Sequence, residues 1–136
     1  MKAAPFVITL HQRERVLEVR YPERPTMEFY EKYELEVRAA IISLAAGGPW
    51  DCIVDQTALR ALAPEFPPRI AHLNAWAREH GMRRTARLVS DSAIGELQTI
   101  RILRDSGVIN IGAAFHDRTA AWNFVTGKTA SGDVGH

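Results

Sequence analysis

Three short polar clusters hold most of the residues in this chain that could do chemistry: Asp55-Gln56-Thr57, Ser90-Asp91-Ser92 and His116-Asp117-Arg118. A serine, a histidine and several aspartates invite a hydrolase reading, with Ser90 or Ser92 as nucleophile and His116 as base. That chemistry needs the serine held against the base and the base held against an orienting acid. The G-x-S-x-G elbow that presents such a serine on many α/β folds is absent. A phospho-acceptor role for Asp55 would need clustered acids for magnesium and a lysine on the last strand. The first strand pattern instead ends in Leu10-His11-Gln12 and the last carries no lysine, which excludes it. The stretch Ser90 to Gly95 sits where a strand runs into a helix. Free N–H groups and the helix dipole suit an anion there, and Gly95 permits close approach, but no Walker or G-x-G-x-x-G pattern accompanies it. The same residue types also serve as helix caps, Ser92 for a third helix and Thr119 for a fourth.

Other candidate groups lead away from catalysis. His11, His72, His80, His116 and His136 lack metal-ligand spacing, and no carboxylate completes a set, so neither metal nor cofactor is expected. Cys52 is the single cysteine, which excludes an internal disulfide; inside an apolar run it reads as inert packing. Arg78, Arg83, Arg84 and Arg87 form a local basic patch near the end of a helix, where arginines complement the dipole. The net charge of +1 supplies no field that would steer the chain to nucleic acid.

The elements that must position these clusters follow from periodicity. Phe6 to Leu10 reads as a strand. Arg15 to Tyr21 alternates strictly, with Leu17, Val19 and Tyr21 on one side and Val16, Glu18 and Arg20 on the other. These two form an antiparallel pair joined by a turn that lacks a glycine. A helix follows the N-cap Thr26, with Tyr30, Tyr33, Val37, Ala40, Ile41 and Leu44 on one face, and Gly47-Gly48-Pro49 stops it. Trp50 to Val54 is a buried strand. After an irregular, proline-rich connection, a second helix starts near Pro68, with Ile70, Leu73, Ala77 and His80 inward. Thr85 to Val89 is the fourth strand, Ala93 to Ser106 the third helix, Val108 to Phe115 the fifth strand and Thr119 to Val125 a short last helix. On the third helix, Leu97, Ile100 and Leu103 form the inner stripe, while Ile94 and Ile102 project away. This surplus of apolar residues predicts self-association as a homodimer.

Strands alternating with helices imply parallel crossovers after the opening pair. The expected fold is therefore α/β: a mixed sheet of about five strands, the first two antiparallel, then β-α units with about four helices. Residues 1–127 form one domain and residues 128–136, small and polar, form a disordered tail. In a parallel sheet, sites form at the carboxyl ends of strands. The three clusters therefore share one edge, and the candidate binding residues are Asp55, Thr57, Ser90, Asp91, Ser92, Gly95, His116 and Asp117. The 136 residues are 46% hydrophobic and 24% charged, as in a globular protein with its own core. No apolar run reaches the roughly 18 residues that span a bilayer. Met1-Lys2-Ala3-Ala4-Pro5 leads into a strand rather than a signal peptide. A cytoplasmic, reduced setting is expected, with no membrane insertion.

The order of elements, together with Cys52-Ile53-Val54-Asp55-Gln56-Thr57, Val89-Ser90-Asp91-Ser92-Ala93-Ile94-Gly95 and the ending Phe115-His116-Asp117-Arg118-Thr119-Ala120-Ala121-Trp122, resembles the STAS-like (SpoIIAA-like) family, the fold of the bacterial anti-sigma-factor antagonists. The resemblance covers about Phe6 to Gly127. It implies a βα superhelix that binds a partner protein or a small ligand without catalysis. In the antagonists a serine in an Asp-Ser-Ser-Gly turn is phosphorylated. Here the chain after Asp55-Gln56-Thr57 runs Ala58-Leu59-Arg60-Ala61-Leu62-Ala63-Pro64, without that turn. A related branch of the fold binds lipids, which suggests a carrier with a pocket lined by the tyrosines of the first helix. The leading expectation is a binding module; a small-molecule or lipid carrier and a weak Ser90/Ser92–His116 hydrolase are the alternatives.

Overall fold

A computed structural model describes residues 4–91 and 93–127, with the backbone alone at positions 93 and 94. Ser92, the side chain of Ile94 and the expected disordered tail, residues 128–136, lie outside the described residues. The strands are β1 (Val7–His11), β2 (Val16–Arg20), β3 (Trp50–Asp55), β4 (Met82–Leu88) and β5 (Gly112–Phe115); the helices are α1 (Met27–Ala45), α2 (Phe66–Glu79), α3 (Ala93–Asp105) and α4 (Arg118–Thr126). They form one sheet in the order β1-β2-β3-β4-β5. β1 is antiparallel to β2, with Leu10 opposite Leu17, and every later pairing is parallel. The chain therefore advances one strand at each crossover and never reverses.

Alternation along the strands sorts the two faces. Leu17, Val19, Tyr21, Trp50, Cys52 and Val54 pack with α1, α2 and α3 in the larger core. Val16, Ile53, Ala86 and Leu88 pack against Ala121 and Val125 of α4 in the smaller one. β3 is buried along its whole length, whereas the edge strand β1 is buried at none of its five positions. The helical stripe of α1 is as its spacing requires: Tyr30, Tyr33, Val37, Ile41 and Leu44 are buried, and Thr26 caps the first turn by accepting from Phe29 N at 3.3 Å.

Several boundaries and orientations differ from those expected, each for a local reason. β2 starts at Val16, because Arg15 takes a left-handed conformation (φ 59°) and closes the β1–β2 turn in place of a glycine. Its guanidinium donates to the carbonyls of Leu44, Gly48 and Pro49, so one residue both turns the hairpin and caps the end of α1. Residues 109–111 form a 3₁₀ turn, which shortens β5. Val108 N bonds Leu103 O at 3.0 Å, so Val108 ends α3 rather than starting a strand. α2 begins at Phe66, with prolines in its first turn. Asn74 is buried there, while His80 is only half-buried, stacking on Trp76 with ring centroids 4.0 Å apart. On α3 the expected stripe is rotated. Ile102 and Leu103 are buried, and Leu97 is 70% exposed. α3 packs against α2 and the 3₁₀ turn with Ile102 in the larger core, so the apolar residue it leaves exposed is Leu97.

Candidate functional site

Alternation across the end of β3 sends Asp55 and Gln56 to opposite faces of the sheet. Asp55 turns toward the α4 side. Its Oδ1 accepts from Thr57 N at 2.9 Å and Thr57 Oγ1 at 2.6 Å, and Arg20 Nε lies 3.4 Å from Oδ2. This is a closed Asx turn that ends the strand. Gln56 turns toward α3. Its backbone N–H bonds Leu88 O at 2.8 Å, and its Oε1 accepts from Thr99 Oγ1 at 3.3 Å.

Between Gln56, Thr99 and the loop after β3 lies a cleft of about 230 Å³. Leu59 and Leu62 of that loop, Val89 at the end of β4 and Ile102 of α3 form its apolar walls. Gln56, Ser90, Gln98 and Thr99 are its polar lining, Gly95 contributes from the first turn of α3, and Arg60 stands at the mouth. No acidic side chain lines it among the described residues. The loop is held from outside: Arg60 N bonds Glu23 O at 2.9 Å, and Arg60 Nε meets Glu23 Oε2 at 3.0 Å.

The eight residues expected along one edge are therefore divided. Ser90 and Gly95 line the cleft. Asp91 and His116 meet beside it: His116 Nδ1 lies 3.5 Å from Asp91 Oδ1, and Nε2 is 2.9 Å from Glu96 Oε1. Asp55 and Thr57 close the turn on the other side of the sheet. Asp117, not Thr119, is the N-cap of α4, its Oδ2 accepting from Ala120 N at 3.0 Å. Ser92 lies outside the described residues. Gln56, Thr99 and Ile102 were missing from the expected set. Period-two alternation could have separated Gln56 from Asp55, and Thr99 stands one helical turn after Gly95, on the same face.

Two further groups bear on function. On the α4 side, Glu18 accepts from Arg118 at 2.7 and 3.0 Å and contacts His11 Nε2 at 2.8 Å. The bonds from Arg118 do most to hold its carboxyl below the usual range, against the opposing effect of burial. Inside the larger core, Arg87 is 2% exposed and donates to Asn74 Oδ1 at 2.7 Å and Thr85 Oγ1 at 3.2 Å. The expected basic patch does not form: Arg83 pairs with Asp51, Arg84 donates to the last carbonyls of α4, and Arg78 bonds Asn110. The cavity beside Arg87, lined in part by Tyr21 and Tyr33, measures about 20 Å³, the size of one water. Cys52 borders it, and burial pushes its thiol up to about 11.

Among the described residues no three His, Cys, Asp or Glu side chains group to hold a metal, and no helix is long and apolar enough to cross a membrane. Comparison with protein-family models, with curated proteins and with solved structures finds no match.

Proposed function

We propose that this chain is a STAS-like module that acts by binding, without catalysis, and that its recognition site is the cleft between the ends of β3 and β4 and the first turns of α3. The observation that carries the reading is the cleft's lining. It offers amides, hydroxyls and one arginine beside apolar walls, the composition of a pocket that holds a ligand rather than activates one. The strand order, advancing one step at each crossover, supports the STAS-like resemblance.

Two observations weigh against the alternatives. Ser90 makes no hydrogen bond to His116 among the described residues, and each ring nitrogen of His116 faces a carboxylate, so neither nitrogen is directed at Ser90. The tyrosines of α1 are core residues, and a cavity of about 20 Å³ has no room for a lipid chain.

The test is a small-molecule fragment titration followed by amide NMR on the purified chain. Shifts should concentrate at Gln56, Ser90, Gln98 and Thr99, with no turnover of activated esters. Ester hydrolysis abolished by Ser90→Ala or His116→Ala would overturn the reading, as would shifts confined to the far face of β1 and β2.

A further inference from the structure

Resting on the cleft reading above, we propose that the cleft takes a small monocarboxylate with an apolar body. Gln56 is 7% exposed, and its Oε1 is occupied by the Thr99 hydroxyl. Its amide nitrogen has no hydrogen-bond partner among the described residues. That nitrogen is not among the fully buried side-chain atoms left without a partner, so its N–H groups are open to the cleft that the side chain lines. With Oε1 accepting from Thr99, they are the donors this side chain presents there. The site is built to donate.

Its surroundings have the same sign. Among the described residues Arg60 is the one charged residue of the lining. Glu23 engages its Nε, while its terminal nitrogens make no other bond among the described residues. The N-terminal turn of α3 borders the same space through Gly95 and adds the positive end of a 13-residue helix. A cation finds no acid here among the described residues. A neutral ligand without an acceptor would leave the Gln56 N–H groups unpaired. Leu59, Leu62, Val89 and Ile102 would be wasted on a bare inorganic anion, whereas an aryl or short alkyl body covers them. A carboxylate carries one charge and two acceptor oxygens, which the Gln56 amide and the Arg60 fork can share.

The experiment titrates the full chain with benzoate and hexanoate, and with benzamide, benzyl alcohol and inorganic phosphate as controls, read by amide NMR and calorimetry. Benzoate and hexanoate should shift the cleft amides and bind more tightly than every control. Gln56→Leu should weaken benzoate about tenfold, the loss of one hydrogen bond to a charged group. Arg60→Gln should weaken it severalfold and reduce its salt dependence. Arg60 is largely exposed, so this second variant remains informative should Gln56→Leu fail to fold. Benzoate binding that survives both substitutions, benzamide binding as tightly as benzoate, or no response to either carboxylate would each overturn the proposal. Shifts of the cleft amides by benzamide or benzyl alcohol alone would refute the carboxylate while leaving the cleft as the binding site. Ester turnover dependent on Ser90 would refute the binding reading itself.

Discussion

Tyr30 is fully buried, yet its hydroxyl finds no hydrogen-bond partner among the described residues. The ring is held by Phe6, Tyr33 and Phe66 at centroid distances of 5.4 to 5.7 Å. Removing the hydroxyl keeps those contacts and relieves a desolvated polar atom. Tyr30→Phe is therefore expected to stabilise the fold by about 1 kcal/mol in urea denaturation; a loss of stability would show that the hydroxyl is satisfied in solution. Glu18 makes a pH-dependent contribution. Because its folded pKa is depressed, the stabilisation is present above the ordinary carboxylate pKa and is lost as pH falls through the lower folded value. Glu18→Gln should cost about 1 kcal/mol at pH 7, allowing for the screening of the half-exposed Arg118, and the gap from the parent should close in acid. A gap unchanged between pH 7 and pH 3 would refute this. Arg87 marks the limit of sequence reading at this scale. Arginine is almost never fully buried, so a patch with Arg83 and Arg84 was the natural expectation. Alternation along β4 places Arg87 on the face covered by α1, α2 and α3, where Asn74 receives it.

At the scale of elements, helix starts are set by which side chain reaches a free backbone N–H. Asp117 and Thr119 are both favourable capping types, and only Asp117 has extended backbone with its carboxylate against Ala120 N. Asp117→Ala should cost about 1 kcal/mol and Thr119→Ala much less, measured by thermal or urea unfolding; equal effects would reject the assignment. The stripe of α1 was legible because its 19 residues keep one face apolar through five turns. That of α3 was not. Its apolar residues Leu97, Ile100, Ile102 and Leu103 spread around the helix, and the packing of α2 and the 3₁₀ turn selects Ile102 over Leu97 as the inward residue. The gap between helix and sheet is also set here: a Cβ at Gly112 would lie 3.1 Å from Thr85 Cγ2 and 3.2 Å from Leu103 Cδ1, so α3 approaches β5 as closely as a glycine allows.

Across the whole molecule, burial is graded from the centre of the sheet outward. β3 is covered on both faces, β1 is an edge, and the loop after β3 carries the cleft's apolar wall with little backbone pairing. Amide hydrogen exchange should be slowest in β3 and the adjoining half of β4, and fastest in β1 and residues 57–65. Protection of β1 equal to that of β3 would point to a covered edge. Because the order of strands never reverses, the sheet has no point where successive crossovers part to open a crevice. The cleft arises instead where the proline-rich connection detours before α2.

The sequence by itself determined the α/β class, the opening antiparallel pair and the faces of β2 and α1, because these follow from periods of two and 3.6 over runs long enough to be unambiguous. It also placed polar residues at strand ends. Only the tertiary structure decided that those residues divide between the two faces of the sheet, that Gln56 rather than Asp55 faces the cleft, and that Arg87 is interior. These outcomes depend on which helix covers which strand. The packing of residues distant in sequence sets that coverage, and no local period encodes it.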